Sequence, residues 1–161
     1  MAITIDLSGR VALVTGGGRG VGRGITERLR AAGATLVVCG RTQPDDLPDG
    51  IGFVAADVRE PSAVDELVAR IVADHGRLDI AVNNAGGSPG ADAATASPRF
   101  SEKVIALNLT AALHVAQATN RVMQGQEHGG VIVNVSSLSG LRPSPGTAAY
   151  GAAKAGLVNL T

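Results

Sequence analysis

Between Arg10 and Gly22 the chain runs through Val11, Ala12, Leu13, Val14 and Thr15 into glycines interrupted by Arg19 and Val21, and no other stretch restricts the fold as much. The apolar run has strand length. Beyond the glycines, Val21, Ile25 and Leu29 recur four apart, the spacing of one helix face. Strand, tight turn and helix therefore follow one another. Glycines in such a turn can take positive φ and leave the backbone open to another molecule. The turn delivers the chain into a helix start, where unpaired N–H groups and the helix dipole favour an anion such as a pyrophosphate. Gly16, Gly20 and Gly22 form G-x-x-x-G-x-G, one residue longer than the commonest dinucleotide fingerprint. The phosphate loop of nucleotide hydrolases is excluded, because Arg23 and Gly24 stand where that motif needs Lys and then Ser or Thr. Taken alone, the turn also suits a glycine-rich bend with no ligand, so the rest of the chain has to decide.

The remaining sequence repeats the alternation. Gly33 sits where the first helix should stop. Thr35 to Cys39 reads as a second buried strand, and Thr42 to Gly50, with two prolines and three aspartates, as loop. About ten residues are too few for an ordinary helical crossover, so the helix there should be missing or a single turn. Ile51 to Ala56 is a third strand. Pro61 then opens a helix whose Val64, Leu67, Val68, Ile71 and Val72 share one face, ending near Gly76. Leu78 to Val82 is a fourth strand, Gly87 to Ser97 a loop, and Phe100 to Gln117 one long helix, apolar on more than one side. Gly125 to Gly130 turns into a fifth strand, Val131 to Val135, and a last helix begins near Ala148. Near-continuously apolar strands alternating with helices predict an α/β fold, a Rossmann-like doubly wound parallel sheet.

Composition narrows the function classes. At 161 residues the chain has the length of one domain, and 45% hydrophobic content marks it as globular. Fourteen basic residues balance fourteen acidic ones. That argues against nucleic-acid or membrane-surface binding, which draws on excess positive charge. An aromatic content of 2% leaves few base-stacking platforms. Cys39 is the single cysteine, so an intrachain disulfide and a cysteine-based zinc site are both excluded; it reads as a small apolar strand residue. His75, His114 and His128 show no metal spacing. Met1 to Arg10 lacks the apolar core of a signal peptide, and no apolar run approaches the ~20 residues of a membrane span, so the cytoplasm is the expected compartment.

Ligands of an open parallel sheet sit beyond the carboxyl ends of its strands. The glycine turn, Arg41, Asp57, Asn83 to Gly86, and Ser136 with Ser137 all follow strands and should crowd one edge. Tyr150 and Lys154 lie four apart, on one helix face.

With these pieces in order, the chain resembles the short-chain dehydrogenase/reductase family of the type with T-G-x-x-x-G-x-G (Thr15 to Gly22), N-N-A-G (Asn83 to Gly86) and S…Y-x-x-x-K (Ser137, Tyr150, Lys154). The resemblance runs from residue 8 to the end. It implies nicotinamide-dependent hydride transfer between an alcohol and a carbonyl. Tyr150 would be the general acid in reduction and the base in oxidation. A free phenol titrates near ~10, so the role needs a cation such as Lys154 beside it to favour the phenolate. Lys154 would also hold the nicotinamide ribose, Ser137 would donate to the substrate carbonyl oxygen, and Asn108 matches the family's proton-relay asparagine. Ser137 is chosen over Ser136 and Ser139 by family register.

Charge bears on the cofactor. An NAD-preferring enzyme usually carries an acid after the second strand. Here Gly40 and Arg41 stand in that place, and Arg19 lies within the glycine turn, so two guanidiniums are positioned to pinch a 2′-phosphate. NADP(H) is expected over NAD(H). Gly16, Gly20, Val21 and Gly22 would line the pyrophosphate turn. Asp57 and Val58 would border the adenine, and Asn84, Ala85 and Gly86 the adjoining ribose.

One departure matters. Family members complete the last helix and add two strands that carry most of the substrate pocket. The 161 residues are therefore expected to be a single dinucleotide-binding domain, the incomplete N-terminal portion of a longer one, with weak or no turnover alone. A bare fifth strand and exposed Leu157, Val158 and Leu160 should follow. A small-molecule alcohol or carbonyl is the expected partner, with homo-oligomers for the full-length protein. Two further readings stay open: a non-catalytic dinucleotide-binding module, and an interaction protein that docks through the helix from Phe100 to Gln117.

Overall fold

The computed structural model describes residues 5–161; the first four residues of the amino-terminal stretch read above lie outside it. Five strands, β1 (Val11–Thr15), β2 (Thr35–Gly40), β3 (Ile51–Ala55), β4 (Ile80–Asn83) and β5 (Val131–Asn134), form one sheet in the order β3-β2-β1-β4-β5. Every pairing is parallel. The order runs outward from β1 in both directions, so the topology switches between β1 and β4, where a doubly wound sheet opens a crevice at its carboxyl edge.

Period-two alternation along β1 divides the core. Val11 and Leu13 face a cluster completed by Val64, Leu67, Val68 and Ile71 of helix α2 (Pro61–His75) and by Ala111, Val115 and Ala118. Ala12 and Val14 face the opposite cluster, against Ile25 and Leu29 of helix α1 (Gly20–Ala31). Val21, expected on that inner face, is instead 69% exposed. It is the second residue of α1, whose buried positions are instead Gly22 and Thr26.

Helix ends follow the sequence signals closely. After α1, Gly33 takes φ +94°. Its N–H donates to the Arg30 carbonyl at 2.9 Å, and that of Ala34 to the Leu29 carbonyl at 3.1 Å, a Schellman pair that satisfies two terminal carbonyls. Pro61 starts α2 and Gly76, at φ +74°, ends it. Between β2 and β3 the chain makes only turns, as its length predicts.

The expected single helix from Phe100 to Gln117 is longer and broken in register. Helix α3 spans Pro98–Ile105, a π-helical turn occupies Ala106–Thr110, and α4 spans Ala111–Met123. The Ala111 N–H reaches back five residues to the Ala106 carbonyl. Helix α5 (Ala148–Leu160) lies against α3 and the π turn. Of the residues expected to be exposed on it, Val158 and Leu160 are, whereas Leu157 is 1% exposed because it points inward beside Ala153 and Lys154. The apolar side chains of β5 are open on one face, Val131 at 57% and Val133 at 44%.

Candidate functional site

The carboxyl ends of β1 and β4 are tied together by one buried hydroxyl. Thr15 Oγ1 donates to the Val82 carbonyl at 3.2 Å and accepts from the N–H groups of Asn84 (3.0 Å) and Ala85 (2.9 Å). Asn84 answers from the other side, its Nδ2 donating to the Thr15 carbonyl at 2.9 Å. The glycine turn is packed against this brace. Gly16 adopts φ +64°, which a residue with a Cβ could not share cheaply. At Gly22 a Cβ would overlap the Gly16 carbonyl and the Asn84 amide. At Gly20, by contrast, a Cβ would meet nothing within 4 Å, so the turn is tight toward the sheet and open toward solvent. With the start of α1 behind it, this cradle fits a pyrophosphate.

Thr15 was passed over as a site residue at the sequence level, although it opens the T-G motif; a buried hydroxyl between two strands is visible only once β1 and β4 are known to be neighbours.

The second half of the site gathers on α5, the π turn and the segment after β4. Asn108 is 1% exposed. Its Oδ1 accepts from the Gly87 N–H at 2.8 Å, while Nδ2 donates to the carbonyls of Gly87 and Val104, both at 2.9 Å. The amide thus clamps the chain just past the N-N-A-G stretch. Lys154 is 4% exposed, and its Nζ donates to the Val135 carbonyl at 2.7 Å. Burial lowers the pKa of this ammonium below the ordinary lysine value. Its Nζ lies 5.8 Å from the centre of the Tyr150 ring. A Cβ on Gly86 would come within 2.6 Å of Asn108 Oδ1 and 3.4 Å of Lys154 Nζ, so both side chains converge on that glycine.

Ser136 and Ser137 play different parts. Ser136 Oγ donates to the Lys154 carbonyl at 3.1 Å, docking the end of β5 on α5. Ser137 Oγ accepts from the Ser139 N–H at 3.2 Å and caps a short 3₁₀ turn over Leu138–Gly140. That turn sits hard against α5: a Cβ on Gly140 would lie 2.7 Å from the Lys154 carbonyl carbon. Tyr150 itself is half-buried and lines a small cavity of about 40 Å³ with Ser88, Phe100 and Thr147.

Arg19 and Arg41 are exposed, and among the described residues neither forms an ion pair. Asp57 is engaged by Arg59, whose guanidinium holds the carboxyl below its usual range. Val58 turns its side chain into the core at 6% exposure, so only its backbone is left to face the edge of the sheet. No group of three or more potential metal ligands occurs among the described residues.

A family model described as short chain dehydrogenase matches residues 10–161. The chain is 35% identical to a 3-oxoacyl-acyl-carrier-protein reductase of Chlamydia muridarum, over 96% of this chain and 66% of that protein. It is 35% identical to a cyclohexanol dehydrogenase of a Rhodococcus species, over 100% and 69% respectively. Among solved structures, a short chain dehydrogenase from Mycobacterium smegmatis superposes with a TM-score of 0.91 at 34% identity, covering 99% of this chain and 73% of that one. The chain spans about two thirds of the length of the curated relatives it matches.

Proposed function

This chain belongs to the short-chain dehydrogenase family, and from that premise we propose that the protein carrying it transfers a hydride between a nicotinamide dinucleotide, NADP(H) in preference to NAD(H), and an alcohol or carbonyl substrate. The observation that supports this reading most is the convergence of Lys154 Nζ and Asn108 Oδ1 on Gly86, directly after β4, across the sheet's switch point from the glycine turn. When bound, the nicotinamide supplies or accepts the hydride.

In this reading the chain's own residues do the rest. Gly16, Gly20, Val21 and Gly22 hold the pyrophosphate, and Asn84, Ala85 and Gly86 border the adjoining ribose, with Asp57 and the Val58 backbone near the adenine. Arg19 and Arg41 have charge to spare for a 2′-phosphate, which is the basis for favouring NADP(H). Lys154 holds the nicotinamide ribose, and its charge favours the phenolate form of Tyr150. The Tyr150 hydroxyl gives its proton to the substrate oxygen in reduction and regains it in oxidation. Ser137 donates a hydrogen bond to that oxygen, stabilising the charge that develops there. Asn108 stands as the proton-relay residue while fixing the backbone at Gly87.

The test is turnover of a carbonyl panel by the full-length protein and its Tyr150→Phe variant, with NADPH affinity measured alongside. A fall in kcat of about a hundredfold or more with affinity retained is expected. Unchanged turnover would contradict the role of Tyr150, and binding without turnover in the parent protein would favour a non-catalytic dinucleotide-binding module.

A further inference from the structure

We propose that Arg23 is a specificity-positioning residue: by cross-linking the glycine turn to the loop after β2, it builds the pocket in which a 2′-phosphate is distinguished from a 2′-hydroxyl. The inference rests on the NADP(H) reading above and deepens it. The two guanidiniums assigned to the phosphate come from different segments, Arg19 from the glycine turn and Arg41 from the end of β2. The segment that carries the chain on from Arg41 to Gly50 contains no helix or strand to hold it in place. An open cavity of about 510 Å³ lies between the two walls, lined by Arg19 and Arg23 with the neighbouring glycines on one side and by residues 42–46, the acids Asp45 and Asp46 included, on the other.

Arg23 joins the walls. Its Nη1 donates to the Gly18 carbonyl at 3.3 Å, and its Nη2 to the Asp46 carbonyl at 2.9 Å. Nε donates to Glu27 Oε1 at 2.7 Å, which fixes the plane of the guanidinium from the next turn of α1. The side chain is only 18% exposed. Pro44 closes the same seam, since a Cβ on Gly18 would come within 2.6 Å of Pro44 Cγ. Charge matters as well: the Asp46 carboxylate stands 3.9 Å from Arg23 Nη1, so the cation offsets an acid that would otherwise oppose a phosphate at this mouth. A planar donor fork reaching two carbonyls in different segments is a task for arginine; a lysine ammonium can serve one of them well but not both.

The experiment measures affinity of the full-length protein for adenosine 2′,5′-bisphosphate and for 5′-AMP, two fragments that differ only in the 2′-phosphate and need no nicotinamide site. The parent protein should prefer the bisphosphate. Arg23→Ala should cut that preference about tenfold, the scale of one charge-assisted contact, while 5′-AMP affinity changes little. Arg23→Lys should recover part of it. Pro44→Gly, at a residue outside both core clusters although Leu47 of the same loop packs against one of them, should lower the preference in the same direction and decides the matter should Arg23→Ala fail to fold. A parent protein that binds both fragments equally would overturn the 2′-phosphate site itself. A parent that discriminates, with the ratio intact in Arg23→Ala or, where that variant does not fold, in Pro44→Gly, would overturn the clamp alone.

Discussion

Asp79 shows how much one side chain carries at the end of the sheet away from the site. It is 4% exposed, yet its carboxylate accepts from Arg10 Nη1 at 2.9 Å, Arg77 Nε at 2.7 Å and the Val11 N–H at 2.9 Å. Burial pushes its pKa up, but these donors outweigh it and hold the value down at about 2, against 3.8 for a free carboxyl. Because the folded value is depressed, the stabilisation is complete above the unfolded value and is lost as pH falls from 3.8 towards about 2. Asp79→Ala should therefore lower unfolding free energy by about 2 kcal/mol near neutral pH. In urea titrations the gap between parent and variant should close in that acid window; a gap independent of pH would refute the assignment. Sequence alone could not single Asp79 out, since nothing in the run from Leu78 to Val82 tells that two arginines and a backbone amide will be brought to it. Tyr150 and Lys154 were legible for the opposite reason: a helical spacing of four fixes their common face without any tertiary knowledge.

At the level of elements, whatever depends on local backbone chemistry was readable. Gly33 is the clearest case, its positive φ and Schellman bonds following from a glycine placed just past the last apolar position of α1. Gly33→Ala would force a side chain into that conformation and bring its Cβ within 2.8 Å of Ser8 Oγ. A loss of about 1–2 kcal/mol is expected, read as a lower Tm in thermal unfolding, and an unchanged Tm would count against the cap. The break in the long helix was not legible. Its apolar residues occupy more than one side, so no phase of the pattern reports a one-residue slip, and the slip is visible only through the Ala111 bond to Ala106. That turn carries Asn108, which the resemblance singles out while the geometry that holds it was not legible. Val21 misled as well: period places it with Ile25 and Leu29, but in the first turn of α1 it stands exposed while Gly22 and Thr26 are the buried positions.

For the molecule as a whole, strand order settles where chemistry can occur. With β1 and β4 adjacent, five separate loops reach one edge, and the two faces of the sheet are filled by different helices. The prediction of parallel, doubly wound topology from alternating apolar runs held because buried strands on both faces leave no room for polar alternation. The expected apolar opening at β5 is present on one face, at Val131 and Val133. In the proposed function this edge seats a dinucleotide between the glycine turn and the Tyr150–Lys154 pair. A crystal structure of the full-length protein with NADP+ tests it most directly. The pyrophosphate should lie over Gly20 to Gly22, with the nicotinamide ribose within hydrogen-bonding distance of Lys154 Nζ and the Tyr150 hydroxyl turned to the nicotinamide. A dinucleotide seated elsewhere, or Tyr150 and Lys154 turned from the crevice between β1 and β4, would contradict it.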